Sequence, residues 1–123
     1  MNKPTFIDLF AGAGGLSIGL EQAGFKLVGA TDWDHWSCET LRANHKNVPI
    51  EEGDISKINL KEFEKKIKFR SIDMIVGGPP CQGFSALGSR KEDDPRNRLW
   101  KQYMRFVGHF KPKVFLMENV PEL

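Results

Sequence analysis

The stretch that decides the fold is Thr5–Ala23, TFIDLFAGAGGLSIGLEQA. Thr5–Phe10 is a short apolar run with strand character, AGAGG is a tight glycine turn, and Leu16, Leu20 and Ala23 then fall on one helical face. Gly24 follows as a helix C-cap. Strand, glycine turn and helix in that order open a βαβ unit, and the pattern continues outward. Phe25–Ala30 reads as a second strand; Asp34 in TDWD is an N-cap for a helix to about Asn44. Pro49–Glu52 reads as a third strand. The next helix turns Leu60, Phe63 and Ile67 inward and Lys61, Lys65, Lys66 and Lys68 outward, a solvated lysine face. Ile72–Val76 is a fourth strand. The polar stretch from Gln82 to Asp94 has no apolar period, as expected of an active-site loop. Asp94 and Pro95 mark a helix start, Leu99, Tyr103, Phe106 and Phe110 recur at helical spacing, Pro112 ends the run, and Val114–Met117 is a fifth strand. Alternating strands and helices predict an α/β domain. Its parallel sheet carries helices on both faces and right-handed crossovers, with ligands at the carboxyl ends of the strands.

Composition narrows the classes. A chain of 123 residues, 40% hydrophobic, suits one small domain with one core. A net charge of +2 is too balanced to argue nucleic-acid binding by itself, so any basic surface is local. No run approaches membrane length and the N-terminus is not signal-like. The two cysteines, Cys38 and Cys81, lie far apart, which suits free thiols in a reducing cytosol. His35, His45 and His109 lack Cys or His neighbours at zinc spacing, and no metal site is expected.

Three places carry chemistry. In GGPPCQGFS, Gly77–Ser85, the thiol of Cys81 follows two prolines that restrict the backbone directly behind a strand, which reads as a nucleophile. Glu118, at the end of the fifth strand in MENVPEL, stands where open α/β sheets place a catalytic carboxylate. In DLFAGAGG, Gly12, Gly14 and Gly15 let backbone pass close to a ligand, while Ser17 replaces the third glycine of a dinucleotide fingerprint. Something smaller than NAD is implied. Asp32, ending the second strand, can accept two ribose hydroxyls, and Trp33 offers a flat face to an adenine. The bland alternative makes Asp32 a capping acid and Trp33 core. Asp54, in GDI, stands where an adenine amino group is in reach.

Taken in order, DLFAGAGG, GDI, GGPPCQGFS and MENVPEL closely resemble the cytosine-C5 DNA methyltransferase family, over almost the whole chain. The resemblance implies a Rossmann-like S-adenosylmethionine-dependent methyltransferase fold. It also implies Phe10, Gly12, Gly14 and Gly15 around the methionine part of S-adenosyl-L-methionine, Asp32 at the ribose, and Trp33, Asp54 and Ile55 at the adenine. Pro80 and Leu99 complete that pocket. Cys81 is the implied nucleophile toward cytosine C6 and Glu118 the partner acid, with Ser85, Asn119 and Val120 around the base. Arg96 and Arg98, with Arg90 and Lys91, are candidates for the flanking phosphates of double-stranded DNA; each is equally well read as part of a solvated loop. Cys38 is expected to be an inert core thiol.

The family's later strands, target-recognition domain and closing helix are not in these residues. A fold incomplete on that side, an open edge at the fifth strand and a chain inactive alone are therefore expected, whether as one part of a split enzyme completed by a second polypeptide or as the remnant of a truncated gene. A bacterial, archaeal or phage origin and a restriction-modification setting are implied. Two other readings stay open: a cofactor-binding or assembly module without turnover, and methylation of cytosine in RNA. A nicotinamide dehydrogenase would leave Cys81 and Glu118 without a role.

Overall fold

The computed structural model describes residues 2–79 and 98–118. Strands β1 (Thr5–Leu9), β2 (Lys26–Asp32), β3 (Ile50–Glu52), β4 (Met74–Gly77) and β5 (Val114–Met117) form one sheet in the order β3-β2-β1-β4-β5. Every pairing is parallel. Helices α1 (Gly15–Gln22), α2 (His35–Asn44), α3 (Leu60–Lys66) and α4 (Arg98–Phe110) connect them, with a 3-10 turn at Ile55–Lys57 after β3. The chain steps from β1 through β2 to β3 on one side, then crosses to β4 on the other. The reversal between β1 and β4 is the switch point, where a crevice opens at the carboxyl ends of the strands.

All five residues of β1 are buried, because a central parallel strand is covered on both faces. Ile7 and Leu9 point to the side carrying α3 and α4, where Phe63, Ile67, Tyr103 and Phe106 pack against them. Phe6, Ala30 and Val76 point to the other side, against Leu41 of α2 and Leu16 and Leu20 of α1. The expected inward faces of α1, α3 and α4 are thus the observed ones, and Lys61, Lys65, Lys66 and Lys68 are exposed. Cys38 is fully buried.

Several boundaries differ from the sequence reading. β2 starts one residue later and runs two residues further, because Thr31 and Asp32 still pair with Glu51 and Glu52 of β3. β4 begins at Met74 and includes Gly77, which pairs with Leu9. A Cβ at Gly77 would sit 2.2 Å from the Leu9 carbonyl oxygen, so only glycine lets β4 lie this close to β1 at the crevice. Asp34 caps α2 as predicted, its carboxylate accepting from the Ser37 N–H at 2.9 Å. The predicted helix start at Asp94 and Pro95 lies outside the described residues. β5, with the predicted bounds, pairs with β4 alone among the described residues, and Val114, Phe115 and Leu116 are exposed along it.

Candidate active site

The loop after β1 has a backbone that few residues tolerate. Phe10, Gly12 and Gly14 all have left-handed φ, at 55°, 58° and 100°. For Phe10 that conformation costs on the order of 1 kcal/mol and persists only if neighbours hold it. They do. The Ala11 N–H donates to the Thr31 carbonyl at 2.9 Å, and the Gly12 N–H donates to Asp32 Oδ1 at 3.1 Å.

Asp32 ties the region together. Its second oxygen, Oδ2, accepts from the Asp34 N–H at 3.1 Å, and its carbonyl accepts from the Gly53 N–H at 2.9 Å. One residue therefore joins the glycine loop, the start of α2 and the turn after β3. An ionised carboxylate has about four acceptor positions. The two backbone bonds leave capacity for a ligand's hydroxyls, so the capping role and the ribose role are compatible.

Around Asp32 lies a cavity of about 300 Å³, lined by Phe10, Thr31, Asp32, Trp33, Gly53, Ile55 and Leu99. Five of the ten residues expected at the cofactor meet there, contributed by the ends of β1 and β2, the 3-10 turn and α4. Trp33 is 80% exposed, which rules out the core alternative for it. Asp54 caps the 3-10 turn through Ser56, whose N–H and hydroxyl hold its carboxyl below the usual range. The Lys57 and Arg98 charges act on Asp54 in the same direction; Arg98 opens α4, one residue before Leu99, and does not line the cavity. Thr31 and Gly53 line the cavity without having been singled out; the GDI string held the only signal for Gly53.

Glu118 follows β5 and its N–H donates to the Gly77 carbonyl at 2.8 Å. Its side chain lies over Gly78, where a Cβ would come 3.4 Å from Glu118 Oε2. The acid thus stands at the same carboxyl edge of the sheet as the cavity. Pro80, Cys81, Ser85, Arg96, Asn119 and Val120, with Arg90 and Lys91, lie outside the described residues.

One buried pair was not anticipated. Asp8, in the middle of β1, accepts a 2.6 Å bond from the Ser17 hydroxyl of α1. Burial pushes the Asp8 carboxyl up to about 6 against the pull of that bond, with the Asp32 and Glu118 charges adding to the rise. Cys38 is pushed up to about 11, chiefly by burial, and its Sγ lies 3.4 Å from the Asp32 carbonyl, in keeping with an inert thiol.

A larger cavity, about 640 Å³, lies at the opposite, amino-terminal edge of the sheet among Lys3, Lys26, Phe69 and Arg70. Its acids are already engaged, Asp73 by the Thr5 N–H and Lys113 and Glu21 by His45, and none of the expected site residues lines it. His35, Glu39 and Glu52 converge within 4.8 Å on the surface, but Arg42 already bridges the two carboxylates at 2.8 and 2.9 Å.

Comparison with known proteins gives one answer at several ranges. The family model for C-5 cytosine-specific DNA methylase matches residues 4–123. The chain is 46% identical over 116 residues to the Type II methyltransferase M.DdeI of Desulfomicrobium norvegicum, covering 94% of this chain and 28% of that protein. It is 44% identical over 121 residues to M.AquIA of Picosynechococcus, covering 96% of this chain and 49% of that protein. The chain thus spans between about a quarter and a half of the curated relatives it matches. Among solved structures, a DNA modification methyltransferase encoded within an E. coli prophage superposes with a TM-score of 0.78 at 40% identity, over 96% of this chain and 32% of that one. The S. pombe Dnmt2 methyltransferase shares the fold, with a TM-score of 0.67 at 23% identity over 96% of this chain and 34% of its own.

Proposed function

Because the chain belongs to the C-5 cytosine-specific DNA methylase family, we propose that it is the cofactor-binding and nucleophile-bearing part of an enzyme that methylates C5 of cytosine in double-stranded DNA. The observation that carries this reading is the Asp32 junction, one carboxylate joining the glycine loop, α2 and an apolar cavity. S-adenosyl-L-methionine is the family's methyl donor, and the residues fit it. Phe10, Ile55 and Leu99 give the cavity apolar walls for an adenine, Trp33 adds an exposed ring, Asp32 keeps acceptor capacity for a ribose, and the Gly12 and Gly14 backbone admits the amino-acid end. Asp54 precedes Ile55 in the chain and caps the 3-10 turn, and Gly15 opens α1 after the glycine loop; neither lines the cavity itself. Bound there, the cofactor supplies an electrophilic sulfonium methyl group.

The chain's own residues then divide the work. Cytosine C5 is a poor nucleophile. Cys81, as thiolate, adds to C6, and the electrons of the C5=C6 bond move to C5, which takes the methyl group. Loss of the C5 proton re-forms the double bond and expels Cys81. Glu118 holds N3 and the exocyclic amine, and as an acid neutralises charge that develops at N3. Asn119, Val120 and Ser85 are assigned to the base, and Pro80 to the cofactor. Because a stacked base presents no face to a thiol, the cytosine is flipped out of the duplex, with Arg96 and Arg98 on the flanking phosphates.

Completion by further protein is part of this proposal. Among the described residues β5 pairs only with β4 and leaves an apolar edge, which native sheets cover or pair. A complementary segment, on the same or a separate polypeptide, would close it and bring the residues that read sequence. The type II relatives suggest a bacterial restriction-modification setting and action in the cytosol. Among the described residues no helix is long and apolar enough to cross a membrane.

The test is covalent trapping. Duplex DNA carrying 5-fluorocytosine, which cannot release a proton from C5, is incubated with cofactor, this chain and a polypeptide supplying the later part of a full-length relative. An adduct that Cys81→Ser abolishes and Cys38→Ser leaves intact is expected. No adduct under those conditions refutes the catalytic reading and leaves an assembly module; an adduct with RNA alone reassigns the substrate.

A further inference from the structure

Arg105 lies on α4, outside the cavity, and no motif marks it. Its guanidinium donates through Nη2 to the carbonyls of Ile55, at 2.9 Å, and of Ile58, at 3.2 Å, and through Nε to Gln102 Oε1, at 2.7 Å. The group also lies 5.3 Å from the centre of the Phe106 ring. Ile55 opens the 3-10 turn and Ile58 closes it. A single side chain therefore clasps both ends of that turn to α4. The turn needs such a clasp, because it hangs from β3, a three-residue strand at the edge of the sheet. Ile55, on the turn, and Leu99, on α4, line the same cavity, with Asp54 next to Ile55. The separation of those two walls is set across the Arg105 bonds.

We propose that Arg105 is a positioning residue for the adenine slot, fixing the distance between the Ile55 and Leu99 walls without touching the ligand. This rests on the reading of the cavity as an S-adenosyl-L-methionine pocket. The guanidinium is suited to the task, since Nη2 has two hydrogens for the two carbonyls while Nε, held by Gln102, fixes the plane of the group, a restraint that an ammonium group lacks.

The experiment measures the affinities of the full chain, as wild type, Arg105→Met and Arg105→Lys, for S-adenosylhomocysteine and for S-inosylhomocysteine, which lacks the adenine amino group. Arg105→Met should weaken the adenosyl ligand about tenfold, equivalent to about 1.4 kcal/mol, and weaken the inosyl ligand much less, so that discrimination collapses. Arg105→Lys should restore part of it. Alongside, amide exchange at Lys57 and Ile58, which bond back to Asp54 and Ile55, should accelerate in Arg105→Met while exchange in β1 stays slow. Unchanged affinity, or an equal loss for both ligands with exchange unaltered in the turn, would overturn the proposal. If the wild type binds neither ligand, the cofactor reading itself fails and this inference falls with it.

Discussion

Asp8→Asn isolates the one carboxyl, among the described residues, that the fold places against its own preference. In the folded chain burial holds Asp8 up at about 6, against an ordinary value of 3.8. Between those values the folded state keeps a proton that the unfolded state has released, so stability falls as pH rises through the window. About two pKa units at 1.36 kcal/mol each give roughly 3 kcal/mol lost between pH 4 and pH 6, with the full penalty present at pH 7 and above. An asparagine keeps an oxygen for the Ser17 hydroxyl and removes the charge. Urea unfolding of wild type and variant at half-unit steps from pH 4 to pH 8 should show the variant gaining on the wild type by a few kcal/mol across the window, at constant m-value. Asp34, Glu52, Asp54 and Asp73 have lowered pKa values. Their contribution is lost as pH falls, in both proteins alike, and cancels in the difference. Parallel curves for the two proteins would refute the argument that buried Asp8 is held near neutrality.

Gly77→Ala forces a methyl group to 2.2 Å from the Leu9 carbonyl oxygen; β1 and β4 must separate, and a loss of about 3 kcal/mol or more is expected from the denaturation midpoint. Tyr103→Phe removes the hydroxyl whose proton is shared between the carbonyls of Leu116, at 2.8 Å, and Ile75, at 3.1 Å. It should cost about 1–2 kcal/mol in the same assay, and amide exchange should quicken in β5 before β1.

Much of the molecule is legible in the residues alone, for reasons the structure makes concrete. The periods of α3 and α4 come from faces that pack on the sheet, and Asp34 announces a cap because its side chain closes one. The sequence ends β2 at Ala30 because Thr31 and Asp32 are polar, and polarity says nothing about pairing with β3. Trp33 supports two readings in the sequence, since burial depends on what the fold brings near. Asp8 and Ser17 are nine residues apart, and only the packing of α1 on β1 joins them. Arg105 is similarly silent: its partners are backbone carbonyls about fifty residues away, and carbonyls leave no mark in a sequence. The glycine loop, by contrast, stands out because its left-handed backbone at Gly12 and Gly14 demands glycine locally.

The central claim is that this chain carries a working cofactor pocket organised by Asp32. Calorimetric titration of the folded chain with S-adenosyl-L-methionine, beside Asp32→Ala, tests it most directly. The account predicts saturable one-to-one binding that the variant loses, since the substitution frees the Gly12 and Asp34 N–H groups and removes the ribose acceptor together. A folded wild type that takes up no cofactor, or a variant that binds as well as the wild type, would contradict it.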